Sequence, residues 1–273
     1  MSTTRPTIAV IGVGNMGSSL ISGLINQRYP AEHLWASDPS EEKLQFLQKQ
    51  FAISVTPDNE KAIQHAETII FAVKPQILKN LALALAPLIQ SKKPLIISIA
   101  AGIREKNLQK WLGGEIAIVR SMPNTPSLIG CGAAALYANG FTSPTQRKLA
   151  EAILRCVGLT VWLEDEKQLD AVTALSGSGP AYFFLMIEAL QQAGQNLGLA
   201  EDTARLLALQ TAYGAARLAI ESQEDVVKLR QHVTSPGGTT EQALKILEKG
   251  KFRELIAQAL DAAKKRSEEL AES

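Results

Sequence analysis

The chain has little that would announce a disulfide framework, a metal, a membrane or a polyanionic partner. Two cysteines in 273 residues, Cys131 and Cys156, stand in no motif. They are too few to staple a secreted scaffold and read as reduced, packed thiols. Three histidines, His33, His65 and His232, are scattered, none with a second ligand four residues away, so the pattern predicts no metal site. Basic residues number 28 and acidic residues 27, a net charge of +1. With no basic stripe carrying interleaved aromatics, nucleic acid is not expected as the main ligand. The apolar stretch Leu81 to Ile89 is broken by Pro87 and falls well short of a bilayer span. The opening Met1–Pro6 does not read as a signal peptide, so a cytoplasmic chain with no membrane partner is expected.

The length allows one large or two ordinary domains. Up to about residue 164, short apolar runs alternate with helical patterns. That alternation predicts an α/β, doubly wound parallel sheet. Strands are expected at 7–11, 33–37, 53–55, 68–73, 94–99, 115–120, 131–137 and 160–163. Helices are expected after Gly17, over 41–51, over 77–89 with Pro87 bending or ending it, and over 144–157. From about Asp165 the strand signals stop. Helical periodicity then predicts helices near 166–175, 180–197, 201–221, 225–232, 240–248 and 252–270. The expected domains are therefore 1–164 and an all-helical 165–273. The run Ala181–Ile187 is apolar on more than one side, so the second domain is either internally crowded or buries surface against another subunit.

Two glycine-rich turns carry the chemistry. The first, Ile11-Gly12-Val13-Gly14-Asn15-Met16-Gly17, follows the β-branched run Thr7–Ile11 and precedes Leu20, Ile21, Leu24 and Ile25 at helical spacing. Between a strand and a helix, this spacing predicts a dinucleotide pyrophosphate site. Gly12 permits the tight turn, Gly14 admits the pyrophosphate, and Gly17 lets helix and strand pack closely. The helix N-terminus offers free N–H groups and partial positive charge. S-adenosylmethionine or a flavin is the minority alternative. In an open parallel sheet the ligand lies beyond the carboxyl ends of the strands. There the sequence places Gly12–Gly17, Asp38, Ala72-Val73-Lys74-Pro75, Ala100-Ala101-Gly102 and Met122–Pro126. Lys74 is a candidate for phosphate or substrate, although a lysine at a strand end is more often solvated. Asp38 has two readings. It bonds the adenosine ribose hydroxyls of NADH, or it turns away to cap the following helix and leaves Ser37, Ser40 and Lys43 to receive the 2′-phosphate of NADPH. The residues leave both cofactors open.

The second turn, Ser235-Pro236-Gly237-Gly238-Thr239-Thr240, precedes the helical run Ala243–Leu247. Thr239 and Gln242 fit a capping box, and the double glycine frees backbone N–H groups to hold a small carboxylate without lysine or arginine. A third cluster, Leu175-Ser176-Gly177-Ser178-Gly179-Pro180, reads either as a kink where another element passes closely or as room for a ligand.

Taken in order, Ile11–Gly17, Ala72–Pro75, Ser98–Gly102, Met122–Pro126, Leu175–Tyr182 and Val233–Thr240 resemble the pyrroline-5-carboxylate reductase family over essentially the whole chain. The resemblance implies a Rossmann domain followed by an all-helical dimerisation domain, giving homodimers that often assemble into a decamer. It implies hydride transfer from NADPH or NADH to the C=N carbon of an imino acid, yielding L-proline as the last step of proline biosynthesis. By position, Ile11 to Met16 and Ala72 to Pro75 would line the cofactor, Asn59 the adenosine ribose, and Ile99, Ala100 and Ala101 the nicotinamide half. Ser235, Gly238 and Thr239 would hold the substrate carboxylate, and the Thr240 hydroxyl would meet the ring nitrogen. The resemblance implies an upstream acid near the substrate, and at the matching position this chain has Gln223 instead. A β-hydroxyacid or 6-phosphogluconate-type dehydrogenase would need a lysine base after the third cluster, where Ala181–Ile187 has none. A non-catalytic nucleotide-binding protein of the same fold would not need the second turn.

Overall fold

A computed structural model describes residues 5–272. The chain forms two compact units. The first holds the described residues up to Ser178 together with those from Ala263 on, and the second runs from Gly179 to Ala262. Strand signals end near 164, but the segment that follows packs with the sheet as far as Ser178.

In the first unit eight strands make one sheet: β1 (Ile8–Ile11), β2 (Leu34–Ser37), β3 (Ser54–Thr56), β4 (Thr68–Phe71), β5 (Leu95–Ser98), β6 (Ile118–Met122), β7 (Gly132–Ala138) and β8 (Gly158–Trp162). Their order is β3-β2-β1-β4-β5-β6-β7-β8. Helices α1 (Asn15–Asn26), α2 (Glu41–Phe51), α3 (Asn59–Ile63), α4 (Pro75–Lys92), α5 (Glu105–Leu112), α6 (Pro144–Arg155) and α7 (Gln168–Val172) complete it.

Alternate residues of β1, β2, β4, β5 and β6 feed two separate cores, as the two-residue period of a strand requires. Ile8 and Val10 pack with Leu20, Leu24, Leu44 and Ile153 from α1, α2 and α6. Ala9 and Ile11 pack with Ile63, Leu78, Leu85 and Leu108 from α3, α4 and α5. Strands buried on both faces read as continuous apolar runs, and β1, β4 and β5 are buried at every position.

The sheet departs from the all-parallel expectation at one place. β6 and β7 pair antiparallel, whereas β7 and β8 are parallel to each other. Between β6 and β7 lies only the 3₁₀ turn Thr125–Ile129, too short for the crossover that parallel strands need. β6 also begins later than expected, because Gly113, Gly114 and Glu115 all have positive φ (89°, 87° and 54°) and turn the chain after α5. Pro87 neither ends nor replaces a turn of α4. It lies on the exposed face, so water can meet the carbonyl that its ring leaves unpaired. The short helices α3 and α5 are not among those read from the sequence.

Ion pairs tie the end of this unit to the sheet. Arg120 Nη1 donates to Glu166 Oε1 at 2.7 Å, and Arg104 Nη2 donates to Asp170 Oδ2 at 2.7 Å. Burial pushes the Arg120 guanidinium below its ordinary range, and the Glu166 carboxylate opposes that shift.

The cysteines are free but not alike: Cys131 is exposed, contrary to the packed thiol expected, and Cys156 is half-buried. Burial raises the Cys156 thiol to about 12, and its Sγ donates to the Ile153 carbonyl at 2.7 Å. The thiolate is the nucleophile, so burial keeps Cys156 in its unreactive thiol form near neutral pH. Treatment of the native protein with a maleimide should modify Cys131 and spare Cys156, read by intact mass; equal labelling of both would contradict this burial.

The second unit contains α8 (Gly179–Asn196), α9 (Glu201–Glu221), α10 (Val226–His232), α11 (Thr239–Lys249) and the larger part of α12 (Phe252–Glu272). It is not internally crowded. In α8 only Gly179 is buried, and in α9 only Ala204 and Ala208. Phe183, Phe184 and Leu185 are about two-thirds exposed (67%, 65% and 66%). A contiguous apolar face of this kind marks a protein interface.

Candidate active site

The carboxyl ends of β2, β1, β4 and β5 lie side by side, and the chain order changes direction between β1 and β4. Open α/β sheets bind ligands at such a switch point. The first glycine turn leaves β1 here. Gly12 adopts φ +93° and donates its N–H to the Ser37 carbonyl at 2.7 Å. A Cβ on Gly12 would fall 2.8 Å from the Ala72 carbonyl oxygen and 2.8 Å from Val73 Cγ1. The turn is thus pressed against the end of β4. A Cβ on Gly17 would stand 2.1 Å from the Gly12 carbonyl oxygen, which is the close helix–strand packing that position requires.

Gly14 differs from both. It is exposed, nothing lies within 4 Å of a Cβ built on it, and it is the N-cap of α1 with no side chain over the helix end. Asn15 is exposed and Met16 half-buried. Open space over unpaired N–H groups fits a pyrophosphate.

Asp38 follows neither of its two readings simply. Its Oδ2 accepts from the Val13 N–H at 3.0 Å and its Oδ1 from the Ser40 N–H at 3.0 Å. Only 8% of the residue is exposed. The cap of α2 is Ser40, whose Oγ accepts from the Lys43 N–H at 3.5 Å. The carboxylate therefore stays at the strand end and braces the glycine turn, with the partly exposed Lys43 Nζ 3.8 Å away. Ser37 is fully buried and donates to Asn59 Oδ1 at 2.7 Å, so it orients Asn59 at the start of α3.

After β4, Ala72, Val73 and Pro75 are half-buried, while Lys74 is the exposed N-cap of α4. After β5, Ala100 is 4% exposed, and Ile99 and Ala101 are half-buried. The third cluster forms a π-helical turn, Thr173–Gly177. Gly177 packs against Met122, where a Cβ would come within 2.6 Å of Cε. Asn124 Nδ2 donates to the Ser176 carbonyl at 3.0 Å, and its Oδ1 accepts from the Ala133 N–H at 2.9 Å. The sequence marks Asn124 only as part of the turn Met122–Pro126, and the structure makes it a link between that turn, β7 and the third cluster. Its single signal was an amide between two prolines.

In the helical unit, the second glycine turn leads into α11. The expected capping box is absent: Gly238 is the N-cap, Thr239 is the first helical residue, and no side chain caps the end. Glu241 reaches back instead, accepting from the Gly237 N–H at 3.0 Å. That bond and Lys245 hold its carboxyl below the usual range, Lys245 contributing most. Gly237 takes φ +73°, and the Gly238 N–H closes the turn on the Ser235 carbonyl at 2.9 Å. Ser235 and Thr239 are exposed, Gly238 and Thr240 half-buried. The acids beside Gln223 are engaged: Glu224 Oε2 lies 3.2 Å from His232 Nδ1, and Asp225 caps α10.

A doubly wound sheet with an open G-x-G-x-x-G turn at its switch point, followed by an all-helical unit, is the build of a dinucleotide-dependent oxidoreductase, and the relatives of this chain place it in that class. Comparison with known proteins narrows the class. Residues 166–270 match the family model described as pyrroline-5-carboxylate reductase dimerisation, and residues 7–102 match NADP oxidoreductase coenzyme F420-dependent. A pyrroline-5-carboxylate reductase of Pseudomonas aeruginosa is 50% identical over 100% of this chain and 98% of its own length. A solved pyrroline-5-carboxylate reductase from Coxiella burnetii superposes with a TM-score of 0.95 at 45% identity, covering 99% of this chain and all of that one. The Plasmodium falciparum enzyme, solved with NADP bound, gives a TM-score of 0.86 at 33% identity over 98% of each chain. The chain belongs to the pyrroline-5-carboxylate reductase family. Its helical region is the oligomerisation domain of that family, in keeping with the exposed apolar face of α8. Among the described residues no helix is long and apolar enough to cross a membrane.

Proposed function

We infer that this chain reduces pyrroline-5-carboxylate to L-proline with NAD(P)H, the final step of proline biosynthesis. Its full-length likeness to reductases of that name supports the reaction. The observation that carries the division of labour is the build of two helix starts. α2, α3, α6 and α10 are capped by their own side chains. α4, α5, α7 and α9 also lack a side-chain cap, but their cap residues are Lys74, Arg104, Lys167 and Ala200; α1 and α11 begin at a glycine, Gly14 and Gly238, with no side chain of the cap residue over the end. At α1 the N–H groups that follow Gly14 are left for an anion; at α11 the Gly237 and Gly238 N–H groups are taken by Glu241 and Ser235, and those from Thr239 on are left. The first suits a pyrophosphate, and the second, with Ser235, Thr239 and Thr240 around it, suits a single carboxylate.

In this reading Ile11 to Gly17 and Ala72 to Pro75 line the cofactor, with Asp38, Ser40 and the Ser37–Asn59 pair at the adenosine ribose. Ile99, Ala100 and Ala101 line the nicotinamide half. The bound cofactor supplies the hydride. Ser235, Gly238 and Thr239 hold the imino acid by its carboxylate, and the Thr240 hydroxyl hydrogen-bonds the ring nitrogen. A protonated imine is already electrophilic, so the protein's work is to orient it and exclude water. The chain acts in the cytoplasm as a homodimer through its helical domain, with dimers assembled into a decamer.

The test is loss of reduced-nicotinamide absorbance with pyrroline-5-carboxylate and either cofactor. Oxidation that depends on the imine establishes the reaction; cofactor binding without turnover would favour the non-catalytic reading. Thr240→Ala should lower kcat by roughly one to two orders of magnitude, less than the loss of a strong acid–base group. Wild-type turnover in that variant would remove Thr240 from the mechanism.

A further inference from the structure

α12 is mostly exposed, and among its described residues only Ser267 and Ala271 are buried, 4% and 9% exposed. They stand four residues apart on one face of the last turns, and Leu270 beside them is only partly covered, 46% exposed. The loop between β5 and α5 meets this part of α12 at Leu270. Gly102 in that loop takes φ +75°, and a Cβ there would lie 3.3 Å from Leu270 Cβ and 3.4 Å from the Leu270 carbonyl carbon and oxygen. One turn back, Ser267 Oγ donates to Asp170 Oδ1 at 2.8 Å. The other oxygen of that carboxylate accepts from Arg104 Nη2 at 2.7 Å. Asp170, 4% exposed, thus joins the far side of the loop to α12. The near side is held by the sheet: Ile99 N–H donates to the Phe71 carbonyl at 3.2 Å and Ala100 N–H to Ser98 Oγ at 3.4 Å.

We propose that the Ser267–Leu270–Ala271 face is a positioning device for the nicotinamide half of the cofactor, setting the 99–102 loop through Gly102 and the Asp170–Arg104 pair. The inference rests on the reading that Ile99, Ala100 and Ala101 line that half. Ser267 and Leu270 touch neither cofactor nor substrate in this scheme; they are positioning residues. A side chain that shifts a reacting group by a fraction of its productive geometry affects rate and affinity without touching the ligand.

Direct binding separates this role from a general effect on folding. NADH carries a nicotinamide and ADP-ribose does not, so their dissociation constants report on different halves of the site. Ser267→Ala should raise Kd for NADH about tenfold, the order expected for a lost hydrogen bond to a charged group, and leave Kd for ADP-ribose unchanged. Ser267→Thr, which keeps the hydroxyl, should restore NADH binding. Leu270→Gly, which removes the Cβ that stands nearest Gly102 and keeps the hydrogen bonds, should give the same selective pattern more weakly. Equal weakening of both ligands, no weakening of either, or failure of Ser267→Thr to restore binding would overturn the proposal. Ala101→Val tests the underlying reading by itself. If it weakens NADH selectively while Ser267→Ala does not, the loop lines the nicotinamide and α12 does not position it. If Ala101→Val is not selective, both fail together.

Discussion

Gly12→Val is expected to abolish measurable cofactor binding, raising Kd for NADH or NADPH by at least about a hundredfold. Two costs add at that position. Gly12 holds φ +93°, a conformation that costs a side-chain-bearing residue on the order of 1–3 kcal/mol and a β-branched one no less. The added Cβ would also meet the Ala72 carbonyl oxygen and Val73 Cγ1, each at 2.8 Å, overpacking worth roughly 1–3 kcal/mol more. The backbone of β4 cannot yield without disturbing β1, because Ala72 N–H donates to the Ile11 carbonyl at 2.8 Å. The melting temperature should therefore fall as well. Gly14→Ala is the informative partner. Nothing lies within 4 Å of a Cβ there, so stability should hold while the methyl group intrudes on the space proposed for the pyrophosphate. Calorimetric titration with NADH beside a thermal melt would check both. Normal binding by Gly14→Ala would show that the ligand does not approach that backbone.

Asp38→Ser should move the ratio of kcat/KM for NADPH over NADH upward by about two orders of magnitude. The carboxylate is fixed at the end of β2 by the Val13 and Ser40 N–H groups, so it cannot swing away from an incoming 2′-phosphate. At about 4 Å and an effective dielectric near 20, one such charge pair costs on the order of 4 kcal/mol. Lys43 Nζ, 3.8 Å from Oδ1, offsets part of that penalty, which brings the expected swing down to about a hundredfold. Serine also removes an acceptor from Val13, so some loss with both cofactors is expected. Asp38→Asn separates the two effects, keeping an acceptor while removing the charge. The same shift in ratio with a smaller overall loss is the expected result, read from initial rates with each cofactor. An unchanged ratio in both variants would show that this side chain does not face the ribose.

Several features were legible in the residues because they depend on local chemistry. Helix α2 spans Glu41–Phe51, the range its periodicity marks, because Ser40 caps it and Ala52 ends it in a left-handed conformation. α9 likewise spans Glu201–Glu221. α6 begins at Pro144, where its pattern starts, and ends at Arg155, two residues short of the expected 157. The capping box expected at Thr239 failed for a reason the residues could not reveal. Glu241 takes the Gly237 N–H, and the glycine before Thr239 becomes the cap. The direction of β7 was equally hidden, since an apolar run specifies a buried strand but not which way it runs.

For the candidate site, sequence spacing alone determined that a strand, a G-x-G-x-x-G turn and a helix occur in succession, and that a second glycine turn opens a helix near the other end. Those are properties of a few consecutive residues: glycine's access to positive φ, and the unpaired N–H groups of any helix start. Tertiary structure decided what separated residues do to one another. It turned Asp38 toward Val13, buried Ser37 against Asn59, and brought Ser267 to Asp170 across 97 positions of chain. Buried hydrogen bonds and close backbone approaches depend on distances set only when the sheet and its helices pack, and nothing in the local sequence encodes those distances.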